Sequence, residues 1–212
     1  MAAAALALGC GSGSGDRHLI AALGDSITAG NPGYDPNPAA RRAFHLGDDP
    51  QSQWEYWAQR EYPDLEIRNC GVRSERTDEI AQRLEDCAIG ADGIVIQGGI
   101  NDLAQGLPLQ VAAANLRGMV KAAKGENLDV AIADVLPFNP GHPRSDRIIA
   151  AMNRRIEAIG RSEGVPVLPF HATLEDPSTP GTMKAQWTAD GIHPSVEGYR
   201  RLGELAFRPP GD

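Results

Sequence analysis

Residues 18–26 read His-Leu-Ile-Ala-Ala-Leu-Gly-Asp-Ser, and this stretch decides the fold. Its apolar run ends at Gly24 and is continuous, not alternating. That is the pattern of a strand buried on both faces. Gly24 permits a tight turn, and Asp25-Ser26 stands where a helix can begin. The same unit recurs along the chain. Leu65 to Asn69 reads as a second strand, Gly93-Ile-Val-Ile-Gln97 as a third, Asp129 to Leu136 as a fourth stopped by Pro137, and Val165 to Leu168 as a short fifth. Helical patterns fall between and after them: Ser52 to Tyr62, with Trp54, Trp57 and Ala58 on one face; Arg76 to Cys87, with Ile80 and Leu84 four apart; Leu107 to Lys124, opened near Pro108; Ser145 to Glu163; and Ser195 to Phe207. Residues 31–50 are rich in Pro, Gly, Asn and Asp and read as a long loop. Apolar strands alternating with helices predict an α/β protein with a parallel sheet covered on both faces. In such sheets the ligand site lies beyond the carboxyl ends of the strands.

The 212 residues suit one domain, and the 42% hydrophobic and 23% charged composition is that of an ordinary globular chain. The formal net charge of −8 argues against nucleic acid, because phosphate binding needs clustered Lys and Arg. Basic residues run together only in pairs, such as Arg41-Arg42 and Arg154-Arg155. No apolar run is long enough to span a membrane. Residues 1–15 are set apart from a domain over 16–212. Met1 to Gly9 resembles the apolar core of an export signal without its positive n-region. Leu-Ala-Leu-Gly-Cys ending at Cys10 resembles a bacterial lipobox, whose cysteine carries a lipid anchor, and the Gly/Ser run 11–15 would then be a tether. A different export signal and an unremarkable chain end stay open beside it. Export is the expected localisation.

Cys70 ends a predicted strand and Cys87 ends the helix after it, so the two ends can meet. In an exported chain they are expected to form a disulfide, with Cys10 the odd thiol.

Three segments at strand ends carry chemistry. In Gly24-Asp25-Ser26-Ile27-Thr28 the Ser26 hydroxyl falls at a helix N-terminus, where free N–H groups favour developing negative charge; as a plain structural element it is an N-cap. In Gly98-Gly99-Ile100-Asn101-Asp102, Asn101 can offer its amide to an oxyanion, although Gly and Asn are also ordinary turn residues. In Asp190-Gly191-Ile192-His193-Pro194 the carboxylate can accept Nδ1–H of His193 across a turn and leave Nε2 as a base; by itself this is equally a surface turn. Each segment is weak alone. Together, in this order, they are specific.

The four blocks Gly-Asp-Ser at 24–26, Gly71 in Asn69-Cys70-Gly71-Val72, Gly-x-Asn-Asp at 99–102 and Asp-x-x-His at 190–193 resemble those of the SGNH or GDSL hydrolases, over about residues 18–207. The resemblance implies a three-layer α/β/α sandwich, flavodoxin-like, with about five parallel strands. It implies Ser26 as nucleophile, His193 as general base and acid, and Asp190 as the residue orienting His193. It also implies an oxyanion hole from the Ser26 N–H, the Gly71 N–H and the Asn101 side chain. The sequence departs from the family at Arg73, where a small residue is usual after the valine; a solvent or salt-bridge position is expected for it. The expected reaction is hydrolysis of small carboxylic esters. Ile27, Ile100, Phe138, Trp187 and Ile192 are candidate pocket walls, and their modest size with no long apolar lid favours short acyl chains. Carbohydrate acetylesterase, thioesterase and lysophospholipase activity stay open on the same fold. A catalytically silent envelope lipoprotein is the non-enzyme alternative. No histidine has metal-ligand spacing, so neither metal nor cofactor is expected. The expected state is a monomer or small homo-oligomer acting on a small ester.

Overall fold

A computed structural model describes residues 17–30, 39, 43, 49–139 and 145–211. Five parallel strands form one sheet: β1 (His18–Gly24), β2 (Leu65–Gly71), β3 (Gly93–Ile96), β4 (Asp129–Ala133) and β5 (Val167–Leu168), in the order β2-β1-β3-β4-β5. This is the doubly wound order of flavodoxin-like folds. In β1–β2 register Gly24 faces Gly71, so the two site glycines end adjacent strands side by side.

The continuous apolar runs follow from this topology. On β1, Ile20 and Ala22 enter a core with Trp54, Phe170, Tyr199 and Phe207. Ala21 and Leu23 enter the opposite core with Ile80, Leu116, Met119 and Met152. Successive side chains of a strand point to opposite faces, and here both faces are covered, so no position is left for a polar residue. The first core is closed by helix Trp54–Glu61 and by the segment from Val196 to Ala206. Trp54 there meets Phe170 edge-on at 5.7 Å and Phe207 at 5.4 Å between ring centroids. The second is closed by helices Leu109–Gly125 and Ser145–Glu163.

One predicted helix is divided. The span Arg76 to Cys87 forms two short helices, Thr77–Ala81 and Leu84–Ala88, with Gln82 and Arg83 between them. Periodicity was intact because Ile80 and Leu84 both still face the core. The break instead frees the Arg83 side chain to reach the ends of β1 and β2. The predicted strand ends also move: β4 stops at Ala133, and β2 runs on to Gly71. Cys70 and Cys87 form a disulfide, with Cα atoms 6.1 Å apart. Among the described residues no helix is long and apolar enough to cross a membrane. The candidate lipid-bearing Cys10, and nearly all of the loop over 31–50, lie outside the described residues.

Candidate active site

The site forms where β1, β2 and β3 end. Asp25 caps a four-residue helix, Ser26–Ala29, by accepting the Ile27 N–H on Oδ1 at 2.9 Å. Ser26 is the first residue of that helix, a position whose N–H has no intrahelical acceptor. Gly24 has no space for a side chain: a Cβ there would collide with Thr28 Oγ1 and come within 2.6 Å of Gln97 Oε1. Gln97, buried at the end of β3, accepts the Asp25 N–H at 3.2 Å and the Thr28 hydroxyl at 2.9 Å. The Ser26 turn is thus held from inside by a residue that the sequence marked only as a strand end.

His193 Nε2 lies 3.0 Å from Ser26 Oγ, and His193 Nδ1 lies 2.8 Å from Asp190 Oδ2. The second carboxylate oxygen, Oδ1, accepts the N–H groups of Ile192 at 2.9 Å and His193 at 2.7 Å. The Asp-x-x-His spacing therefore folds into a turn that the carboxylate itself ties. Partial burial pushes the Asp190 carboxyl up, but the His193 backbone, the His193 ring and the Ile192 N–H outweigh it and hold Asp190 below the ordinary aspartate range. Asp190 therefore remains ionised at neutral pH and can fix the imidazole tautomer.

Two of the candidate oxyanion donors are engaged within the protein. The Gly71 N–H donates to Asn69 Oδ1 at 2.8 Å, and Asn69 Nδ2 donates to Thr28 O at 2.6 Å. Asn69 thus staples β2 to the nucleophile helix. Gly71 must lack a side chain, because a Cβ would run into the Ala29 backbone. Asn101 Nδ2 donates to Glu75 O at 2.8 Å, which uses one of its two N–H bonds. Asp102 is wholly buried and receives the Thr77 N–H at 2.9 Å and the Thr77 hydroxyl at 2.7 Å. Asp25 and Asp102 both hold loops by accepting backbone N–H groups.

Other candidate residues fare unevenly. Ile27 is 3% exposed and belongs to the core, so it is not an open pocket wall. Trp187 also packs on that core, with the Arg201 guanidinium 4.0 Å over its ring. Ile100, Phe138 and Ile192 are half-buried. Arg73 does not simply face solvent. It is half-buried with its Nε shielded, and its charge acts on the buried Tyr199 hydroxyl. His18 pairs with Asp92 at 3.4 Å, and His171 Nδ1 contacts Val135 O at 2.8 Å, both away from Ser26. His45 and His142 lie outside the described residues. The sequence reading missed Asn69, Gln97, Arg83 and Glu75. Only Asn69, two residues before a glycine, carried a local signal, that of an Asx turn.

The chain matches the model of the GDSL-like lipase/acylhydrolase family over residues 22–201 and belongs to that family. It is a hydrolase of the GDSL type with the α/β fold of its relatives. A sequence search of curated proteins found no match. Several solved structures share the fold. A member of the lipolytic protein G-D-S-L family from Veillonella parvula DSM 2008 is 20% identical, with a TM-score of 0.69, covering 87% of this chain and 93% of its own. The lipase/acylhydrolase from Enterococcus faecalis is 22% identical with a TM-score of 0.66, the match covering 89% of this chain and 92% of that one. A variant of an acetyl xylan esterase from Geobacillus stearothermophilus is 20% identical with a TM-score of 0.67, covering 89% and 92%.

Proposed function

We propose that the chain hydrolyses short-chain carboxylic esters through an acyl-enzyme on Ser26. The observation that carries this reading is the unbroken relay from Ser26 Oγ to His193 Nε2 at 3.0 Å and from His193 Nδ1 to Asp190 at 2.8 Å. In the first half-reaction Ser26 Oγ bonds to the ester carbonyl carbon while its proton passes to His193 Nε2. The tetrahedral oxyanion is met by the Ser26 N–H, the remaining Asn101 N–H and the Gly71 N–H. An oxyanion is a stronger acceptor than a neutral amide oxygen, so it draws the Gly71 N–H away from Asn69. Collapse breaks the bond to the leaving alkoxide, which takes the proton back from His193. Water repeats the sequence on the acyl-enzyme, with His193 again as base, and releases the acid and free Ser26. Each oxyanion donor is worth roughly 10²–10³ in rate.

Short acyl chains fit the limited apolar surface that the half-buried Ile100, Phe138 and Ile192 offer among the described residues. We also assign the chain to an extracytoplasmic compartment, since its Cys70–Cys87 disulfide is of a kind that persists in oxidising surroundings. A p-nitrophenyl ester series, run with fluorophosphonate labelling, tests the reading. Hydrolysis should peak between acetyl and hexanoyl, and Ser26→Ala should abolish both hydrolysis and labelling. Equal labelling of Ser26→Ala would sink the nucleophile assignment. A peak at twelve carbons or more would sink the short-chain preference.

A further inference from the structure

Arg83 stands in the break between helices Thr77–Ala81 and Leu84–Ala88. Its side chain is a quarter exposed, yet each of its three nitrogens donates within the protein. Nη1 donates to Cys70 O at 2.6 Å, and Nη2 donates to Gly24 O at 3.1 Å. Nε donates to Glu75 Oε2 at 2.9 Å and Oε1 at 3.1 Å, and Nη2 also reaches Oε2 at 2.5 Å. These partners are not scattered. Cys70 precedes Gly71 and Gly24 lies two before Ser26. The backbone oxygen of Glu75 is the acceptor that holds Asn101 Nδ2. One guanidinium therefore touches the strand ends carrying two candidate oxyanion donors, and through Glu75 the segment that orients the third.

From this geometry we infer that Arg83 is a positioning residue that sets the spacing of the oxyanion hole. The inference rests on the acyl-enzyme reading above. The carbonyls of Gly24 and Cys70 belong to adjacent strands, and Gly24 O also accepts the Val72 N–H at 3.0 Å. That Val72 bond is the last between the two strands. Beyond it the chain leaves the sheet, and the planar fork of Arg83 ties the two ends together and anchors Glu75. Lysine replaces it only in part, because an ammonium is a single point of charge and arginine's donors are spread over a rigid fork. Displacing a reacting group by about 1 Å can cost ~10²-fold in rate. Loss of Arg83 acts on the transition state, since the carbonyl oxygen of bound substrate needs these donors less than the oxyanion does.

The test uses the full chain and compares wild type with Arg83→Met and Arg83→Lys. In Arg83→Met, kcat for p-nitrophenyl acetate should fall about 10- to 100-fold with KM within about twofold. Arg83→Lys should fall between Arg83→Met and wild type. An alkylboronic acid, whose tetrahedral Ser26 adduct mimics the intermediate, should lose affinity in proportion to kcat/KM. A merely structural arginine would lower the unfolding midpoint and leave kcat and boronate affinity of the folded protein unchanged. That result in Arg83→Met, or in Arg83→Lys should the methionine variant not fold, overturns the inference. Hydrogen exchange at the Val72 amide supplies a readout free of chemistry. It should accelerate in Arg83→Met, and unchanged exchange counts against the clamp even if wild type hydrolyses no ester. An inactive wild type with faster exchange in the variant overturns the acyl-enzyme reading and leaves the clamp standing.

Discussion

In the acyl-enzyme reading, His193 acts as a base toward Ser26 in the tautomer with its proton on Nδ1, which the Asp190 carboxylate 2.8 Å away favours. Asp190→Asn keeps the shape of the turn but offers an amide that can present its N–H₂ to the ring. The expected outcome is a kcat lower by about 10²–10⁴, the scale of the same exchange in other Ser-His-Asp triads, with little change in KM, read by steady-state ester kinetics. Asp25 differs in kind. It is wholly buried, its Oδ2 has no partner among the described residues, and burial pushes its carboxyl from 3.8 to about 6 despite the Ile27 N–H. A raised carboxyl binds its proton more tightly folded than unfolded, so stability falls as pH rises from about 4 to about 6. The range from 3.8 to about 6 corresponds to ~3 kcal/mol at most. Asp25→Asn retains an acceptor for the Ile27 N–H and removes the titration. Urea midpoints measured across pH 4–7 should show a flatter profile for the variant than for wild type, and parallel profiles would refute the assignment. Glu55 follows the same sign, since burial raises its carboxyl well above the ordinary glutamate range.

At the scale of elements, the strand ends carry the site, and small residues let them converge. Gly71 meets the Ala29 backbone so closely that one methyl group must push β2 and the Ser26–Ala29 helix apart. Gly71→Ala should cost about 1–3 kcal/mol in stability, as overpacking does, and should lower kcat beyond what that loss explains. Thermal unfolding beside kcat of the folded protein separates the two effects. The motif glycine was legible in the sequence, but its physical reason was not. The contact is with Ala29, a residue of another element 42 positions away, and periodicity carries no record of it. The same holds for the predicted helix over 76–87. Its apolar spacing survives the break at Arg83, because Ile80 and Leu84 keep facing the second core. Apolar periodicity reports which face is buried, and it is blind to a polar side chain that leaves the helix to serve a neighbouring strand.

For the whole molecule, the disulfide joins β2 to the helix behind it, closing a loop of sequence separation 17. By loop entropy its removal should cost about 3 kcal/mol. Reductant should lower the unfolding midpoint of wild type and leave Cys87→Ser unaffected; equal effects on both would show that the bridge does not form. The amino-acid sequence by itself determined the layered α/β class and the succession of strands and helices along the chain, and it singled out Ser26, Asn101, Asp190 and His193 as candidates. These rest on local signals: apolar runs of strand length, turn glycines, and short motifs whose members sit within a few residues of one another. Only the tertiary structure brought Ser26 and His193, 167 residues apart, to 3.0 Å. It also committed the Gly71 N–H to Asn69, buried Ile27, stacked Trp187 under Arg201 and turned Arg83 onto the strand ends. Those outcomes depend on which surfaces meet when the sheet closes, and a side chain's partner across two elements leaves no trace in its own neighbourhood of the sequence.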